Sequence, residues 1–406
     1  MYTRCRVCGG KVGEFLDLGR QPTANGFLLP HEVNQEFTFR LAVGACVDCA
    51  LVQLIDEVSQ EVRYHAGYRY HASGSASHRQ HFEGNARRLL ATELGGSDPF
   101  IVEIGCNDGV MLATVAAAGV RHLGVEPSTN VADVARSRGV RVLTEYFDAG
   151  TAAAIRAEHG PSNVIFGANT ICHIAHIESL MRGVDVLLTS DGVFIFEEPY
   201  LGTIVEGRAF DQIYDEHVFY FSVTSVAAMA ERFGLELVDA EQISMHGGEI
   251  RYTLARAGAR VPAPGVAALL ADEQARRLSA PDTLEEFGRH VERVRDELVT
   301  LLRQIRADGL RVVGYGAPGK ASTVTNYCRI GSDLVPFVCD STPSKQGHLL
   351  PGSHLPVRAP EAFADPYPDY ALLFAWNHAE EIMAKEQGFR EAGGRWIRFV
   401  PEVRVD

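Results

Sequence analysis

Four cysteines near the amino terminus constrain this chain more than any other feature. They form two pairs of equal spacing, Cys5-Arg-Val-Cys8 and Cys46-Val-Asp-Cys49. A Cys-x-x-Cys segment can fold into a tight knuckle whose backbone amides point at sulfur. Two knuckles supply four soft ligands in a tetrahedron, the closed coordination of structural zinc. Gly9 and Gly10 follow the first pair and allow the positive φ that a knuckle often needs. A redox dithiol and a pair of disulfides are the competing readings. The first needs only one pair, opening a helix after a strand. The second needs an oxidising compartment. Two pairs so close together favour zinc held by Cys5, Cys8, Cys46 and Cys49, with no position left open for catalysis. Cys106, Cys172, Cys328 and Cys339 lie in apolar surroundings and read as packing residues.

A metal staple suits residues 1–56, which read as a small β-rich unit with a strand near Phe37–Val43 and turns at Asn25-Gly26 and Pro30. Next comes an aromatic and histidine-rich run, Tyr64 to His71, and then a helical segment near His78–Leu94. From residue 99 strand-like and helix-like runs alternate: FIVEIG, HLGVE, VRVL, SNVIFGAN and GVFIFEEP are the strands. That alternation implies a parallel sheet covered by helices. The segment Leu284–Arg306 carries apolar residues at helical spacing (Leu284, Phe287, Val291, Val294, Leu298, Leu301, Leu302, Ile305) and reads as a packing helix. A second α/β unit starts at Arg311. The division expected is 1–56, 57–258 and 259–406.

Charge and hydropathy exclude other classes. The chain of 406 residues has 38 Lys and Arg against 52 Asp and Glu, a net charge of −14, which argues against nucleic acid as a partner. No apolar run approaches the ~18 residues of a membrane span. The first residues lack the apolar core of a secretory signal, so a cytoplasmic location with reduced thiols is expected. Only four lysines occur, at positions 11, 320, 345 and 385.

The run VEIGCNDGVML, from Val102 to Leu112, reads as strand, tight turn and helix start. Gly105 lets a ligand approach the backbone, Gly109 permits close helix packing, and the helix-start amides face the ligand. Glu103 suits the amino group of a zwitterion. Glu126 ends the following strand roughly 20 residues on, where a carboxylate takes ribose hydroxyls. The turn is not G-x-G-x-x-G. S-adenosylmethionine, with a ribose and a carboxylate but no phosphate, fits it better than another nucleotide. The cofactor site expected is Glu103, Gly105, Asn107, Asp108, Gly109, Glu126 and Asn169.

The run YDEHVFYFS, from Tyr214 to Ser222, is dense in titratable groups and follows the strand GVFIFEEP. It therefore lies beyond the carboxyl edge of the sheet, where ligands bind in such folds. An imidazole at position 217, with an ordinary pKa of ~6.5, suits removal of a proton from carbon α to a carbonyl. Tyr214 is three residues before it and shares its face on a helical turn. Glu216 is placed to tune or orient it. The enolate needs a hydrogen-bond donor, which Tyr214, His173 or Tyr68 can supply.

These runs, in order along essentially the whole chain, resemble the sugar C-methyltransferases. The resemblance rests on CRVCG at Cys5, CVDC at Cys46, YRYHASGS at Tyr68, VEIGCNDG at Val102, YDEH at Tyr214 and HGG at His246. It continues through GYGA at Gly314, KQG at Lys345, Pro351-Gly352 and AWN at Ala375. That family acts on thymidine diphosphate deoxysugars in antibiotic biosynthesis. The resemblance implies an α/β molecule with a class I methyltransferase-like doubly wound sheet. An N-terminal zinc-binding unit and a C-terminal Rossmann-like domain that helps hold the nucleotide sugar complete it. It implies a 4-keto-hexose methylated at the carbon α to the ketone, usually C3, with His217 as base. Tyr68, His173, Tyr214 and Glu216 match the family's other active-site groups. Tyr70, His246, Tyr315 and Lys320, in the same motifs, are expected to meet substrate. The HGG segment normally continues with Ser, whereas this chain has Glu249. A monomer is expected.

One motif supports an alternative. GYGAPG, from Gly314 to Gly319, is a literal G-x-G-x-x-G, and Asp340 ends the next strand. Either this turn and Lys320 cradle the substrate's diphosphate or pack, or they bind NADPH. The second case makes the enzyme a bifunctional C-methyltransferase and 4-ketoreductase. A zinc-stapled binding module without catalysis would leave the cluster around His217 unexplained.

Overall fold

A computed structural model describes residues 4–63 and 71–406. Among the described residues there are three sheets. The first is antiparallel, in the order Val12–Pro22, Thr38–Cys46, Val52–Leu54 and Phe219–Tyr220. Its last strand comes from far along the chain, paired through Val52 with Tyr220 and Gln53 with Phe219.

The second sheet has seven strands. Five are parallel, lying side by side as Val142–Leu143, Arg121–Val125, Phe100–Ile104, Ser162–Ala168 and Leu188–Pro199. The antiparallel pair Glu249–Arg256 and Leu235–Ile243 extends the last of them. The order reverses between Phe100–Ile104 and Ser162–Ala168, so their carboxyl ends open a crevice of the kind that doubly wound sheets use for ligands. The strands read as near-continuous apolar runs because both faces are covered: all five residues of Phe100–Ile104 are buried.

The third sheet repeats the plan. Val357–Arg358, Val338–Cys339, Val312–Tyr315, Tyr370–Leu373 and Arg395–Arg398 are parallel, and Arg404–Val405 closes the edge antiparallel. Helix Pro281–Ala307 starts with proline at its first turn, where the missing N–H costs nothing. It buries Leu284, Phe287, Val291, Val294, Leu298, Leu302 and Ile305, and Leu301 is half-buried. This is the packing role that the spacing predicts. One apolar cluster runs through all three parts, from Leu18 and Leu54 to Phe221, Leu298 and Val324. No helix among the described residues is long and apolar enough to cross a membrane.

Candidate active site

The zinc ligands are assembled first. Cys5 Sγ lies 3.5 Å from Cys49 Sγ and Cys8 Sγ 3.4 Å from Cys46 Sγ, and all four sulfurs fall within 4.8 Å of one another. A tetrahedron with Zn–S near 2.3 Å has edges of about 3.8 Å, so the four sulfurs fit the ion with little movement. The amides of Val7 and Gly10 point at Cys5 and Cys8 sulfur from 3.4 Å, as the knuckle geometry requires.

The first glycine turn follows strand Phe100–Ile104. Gly105, Asn107 and Gly109 adopt φ of 67°, 48° and 74°. A Cβ on Gly105 would stand 2.4 Å from Thr170 Oγ1, and one on Gly109 would stand 2.8 Å from Ala135 Cβ. Gly109 serves helix packing, as expected. Gly105 makes room for the neighbouring Thr170 as well as for a ligand. Glu126 closes the turn by accepting from Asn107 N at 3.0 Å and Ser128 N at 2.8 Å. Asn107 Oδ1 accepts from Ala72 N, and the Ser73 hydroxyl donates to Asp108. Asp108 is fully buried and also pairs with Arg138 at 3.2 Å. It fastens the turn rather than lining the cavity.

A cavity of about 370 Å³ opens over this turn. Glu103, Gly105, Asn107, Glu126 and Asn169 line it on one side, and His173, Tyr214, Glu216 and His217 on the other. Burial, then Asp108 and Glu126, push the Glu103 carboxyl well above the usual carboxylate range. Its Oε2 is buried without a partner. An orphaned acceptor among three carboxyl groups suits a cationic guest, and S-adenosylmethionine carries an ammonium and a sulfonium. The residues present therefore fit that cofactor.

His217 sits in a loop between the short helix Phe210–Gln212 and strand Phe219–Tyr220. Its Nδ1 is 3.0 Å from the Gln212 carbonyl, and its Nε2 is 2.9 Å from the Tyr214 hydroxyl. A carbonyl only accepts, so Nδ1 carries the proton and Nε2 the lone pair. The His173 ring stacks on it with centroids 5.3 Å apart. Burial lowers the imidazole from 6.5 to about 4, and nearby Lys320 adds to the effect. The ring is thus a neutral base at physiological pH.

Glu216 lines the cavity with His217. Its carboxylate accepts from Asn25 Nδ2 at 2.7 Å, while Asp215 accepts from Ala24 N at 2.7 Å. The backbone carbonyl of Gln212 fixes the His217 ring through Nδ1. The loop that carries His217 is also clamped from the C-terminal unit. Thr323 donates to the Ile213 carbonyl, Trp376 Nε1 donates to Asp211 at 2.6 Å, and Lys320 Nζ lies 3.6 Å from Asp211. Asn25, Asp211 and Gln212 were not singled out from the sequence. Asn25 looks there like a turn residue only, Asp211 contributes through a tertiary contact, and Gln212 contributes through its backbone carbonyl.

The second glycine turn reaches the same cavity through Pro318, Gly319 and Lys320, with Lys345 beside them. Lys345 was a missed site residue, although its rarity and its KQG motif were available signals. It donates to the Ala317 carbonyl at 2.9 Å, and Lys320 donates to Asn377 at 3.0 Å. Asp340 holds the turn by accepting from Ala317 N, much as Glu126 holds the first. The start of helix Lys320–Tyr327 is covered by the N-terminal unit. Ser322 donates to the Ala24 carbonyl, and the Asn25 amide lies 3.0–3.3 Å from where a Gly319 Cβ would stand. Residues 24 and 25 therefore pack against the start of this helix.

Tyr315 is corrected. It does not line the cavity: its ring packs edge-on against Phe363 and Trp396, and its hydroxyl donates to Glu386 at 2.6 Å. Residues of one strand alternate between faces, and Tyr315 takes the one toward this aromatic core. Tyr68 and Tyr70 lie outside the described residues, as does the side chain of His246.

Three family models match in chain order: a zinc binding domain over residues 5–64, a methyltransferase domain over 76–240, and a C-methyltransferase C-terminal domain over 244–401. C-methyltransferase NovU of Streptomyces niveus is 38% identical over 99% of this chain and 96% of its own length. Among solved structures, the CcbJ methyltransferase of Streptomyces caelestis is 16% identical over 43% of this chain and 90% of its own, with a TM-score of 0.34. Magnesium protoporphyrin IX methyltransferase of Synechocystis is 12% identical over 44% of this chain and 79% of its own, at 0.33. The likeness to NovU runs from the cysteine knuckles to the last sheet, and with the methyltransferase sheet and its glycine turn it makes the chain a member of the S-adenosylmethionine-dependent C-methyltransferase family.

Proposed function

We propose that this enzyme methylates a thymidine diphosphate 4-keto-deoxyhexose at the carbon α to the ketone, probed first at C3, in antibiotic deoxysugar biosynthesis. The observation that carries the reading is one cavity holding both the first glycine turn and a buried imidazole whose Nε2 lone pair is fixed by Gln212. Glu103, Asn107 and Glu126, with Asn169 nearby, would hold S-adenosylmethionine, which when bound would supply an electrophilic methyl group.

His217 Nε2 takes the α-proton after Tyr214 releases its hydrogen bond. An imidazole held near a pKa of about 4 is a weak base, so the enolate oxygen needs strong stabilisation. Tyr214 and His173 are the donors facing the same space. Lys320 and Lys345 offer two charges at the far end of the cavity for the substrate's diphosphate, within a chain that is otherwise acidic. The three parts, divided near residues 56 and 258, each contribute: Asn25 from the first, the donor site and base from the second, the lysines from the third.

The test is incubation with S-adenosylmethionine and a panel of thymidine diphosphate 4-keto sugars, with product mass and NMR. A methylated ketone is expected, and no methylation of any 4-keto sugar refutes the reading. The ketoreductase alternative has the G-x-G-x-x-G motif in its favour. NADPH binding by calorimetry, with a further gain of two mass units, would support it.

A further inference from the structure

We propose that Cys172, His173 and His217 form a second soft-metal site, for Zn²⁺, inside the reaction cavity. One ligand atom from each of the three lies within 4.8 Å of the others, and Cys172 and His217 are buried. The chemistry of the set is specific: one thiol and two imidazoles are donors that zinc prefers over oxygen-rich sites. The second shell is in place for one of them. The Gln212 carbonyl holds His217 Nδ1–H, which leaves Nε2 as the ligating atom and fixes the ring, as outer-shell acceptors do for zinc-bound histidine.

Backbone geometry keeps the three together. Cys172 and His173 lie in the short helix Ile171–His173, which is tied to the catalytic loop by Val218 N donating to the Cys172 carbonyl at 2.9 Å. His173 and His217 face the cavity, which gives the ion its way in and leaves a fourth position for water. On binding, the Cys172 thiol releases its proton to solvent as the metal–sulfur bond forms, and no electrons change hands. Unlike the four-cysteine site, this one has three protein ligands and competes with the reaction, because the metal takes the lone pair on His217.

The enzyme with its structural zinc in place is equilibrated with buffered free Zn²⁺, and metal per chain is counted by mass spectrometry. Wild type is expected to rise from one zinc to two. Cys172→Ala and His173→Ala are expected to stay at one at the free zinc that half-fills wild type. Losing a ligand costs at least the roughly 10–100-fold in affinity that losing an outer-shell partner costs. Wild type stopping at one, or both variants filling at the same free zinc, overturns the site. The consequence for activity rests on the proposed role of His217 and is read separately, as α-proton exchange before and after filling. Exchange should stop. A filled second site with undiminished exchange overturns His217 as the base while the metal count stands.

Discussion

Lowering the pH tests the buried base directly. Burial brings His217 from 6.5 to about 4. At pH 5.5 an imidazole titrating at 6.5 is about 90% protonated, whereas one titrating at 4 is about 97% neutral. The two cases differ roughly tenfold in active base at that pH. The assay is deuterium exchange at the substrate's α-carbon, followed by NMR from pH 5 to 8, with circular dichroism at each pH to confirm the fold. Exchange should hold level down to about pH 5, with the acid limb below that. A midpoint between 6 and 7 in folded protein would refute the argument that a dry, neutral imidazole does this work. The same shift acts on stability. The unfolded chain takes the proton first, so His217 contributes fully above pH 6.5, and the contribution fades as pH falls toward 4. The amount is about 3 kcal/mol.

Other outcomes follow from the packing. Burial raises Glu198 from 4.5 to about 7, so its contribution to stability is complete below 4.5 and fades as pH rises to 7. Glu198→Gln, which can still accept from Thr170, Ile171 and Cys172 N–H, should gain on wild type by up to about 3 kcal/mol across that window in denaturant melts; parallel curves would contradict it. Removing zinc should abolish α-proton exchange although no thiolate touches substrate. Structural zinc carries on the order of 10 kcal/mol of folding free energy, and the strand after His217 is paired into the zinc-stapled sheet. Full exchange in zinc-free, folded enzyme would break that link. Asn25→Ala should cost about 1.5–3 kcal/mol by leaving the Glu216 carboxylate without its amide donor, read as a lower melting temperature and a lower kcat; an unchanged kcat counts against Glu216. Gly109→Ala should destabilise by about 1–3 kcal/mol because the new Cβ meets Ala135 at 2.8 Å with φ at 74°, and an unaltered melt would show that the turn has slack.

The local patterns carried a good deal. Equal Cys-x-x-Cys spacing determined the zinc knuckles, because a metal tetrahedron is set by ligand type and short-range geometry. Strand–glycine–helix runs determined two doubly wound sheets, since periodicity and turn residues are local signals, and the spacing of Leu284 to Ile305 marked a buried helix face. Tyr214 and His217 were legible as a pair because three residues of sequence place them on one turn. Contacts between residues distant in sequence were decided only by tertiary structure. Asn25 reached Glu216 across 191 positions, and Phe219–Tyr220 joined a sheet begun at Val12. Tyr315 turned to an aromatic core while Lys320 turned to Asp211, and the N-terminal unit covered the second glycine turn. Those choices depend on which faces meet when the three parts pack together, and no window along the chain contains that information.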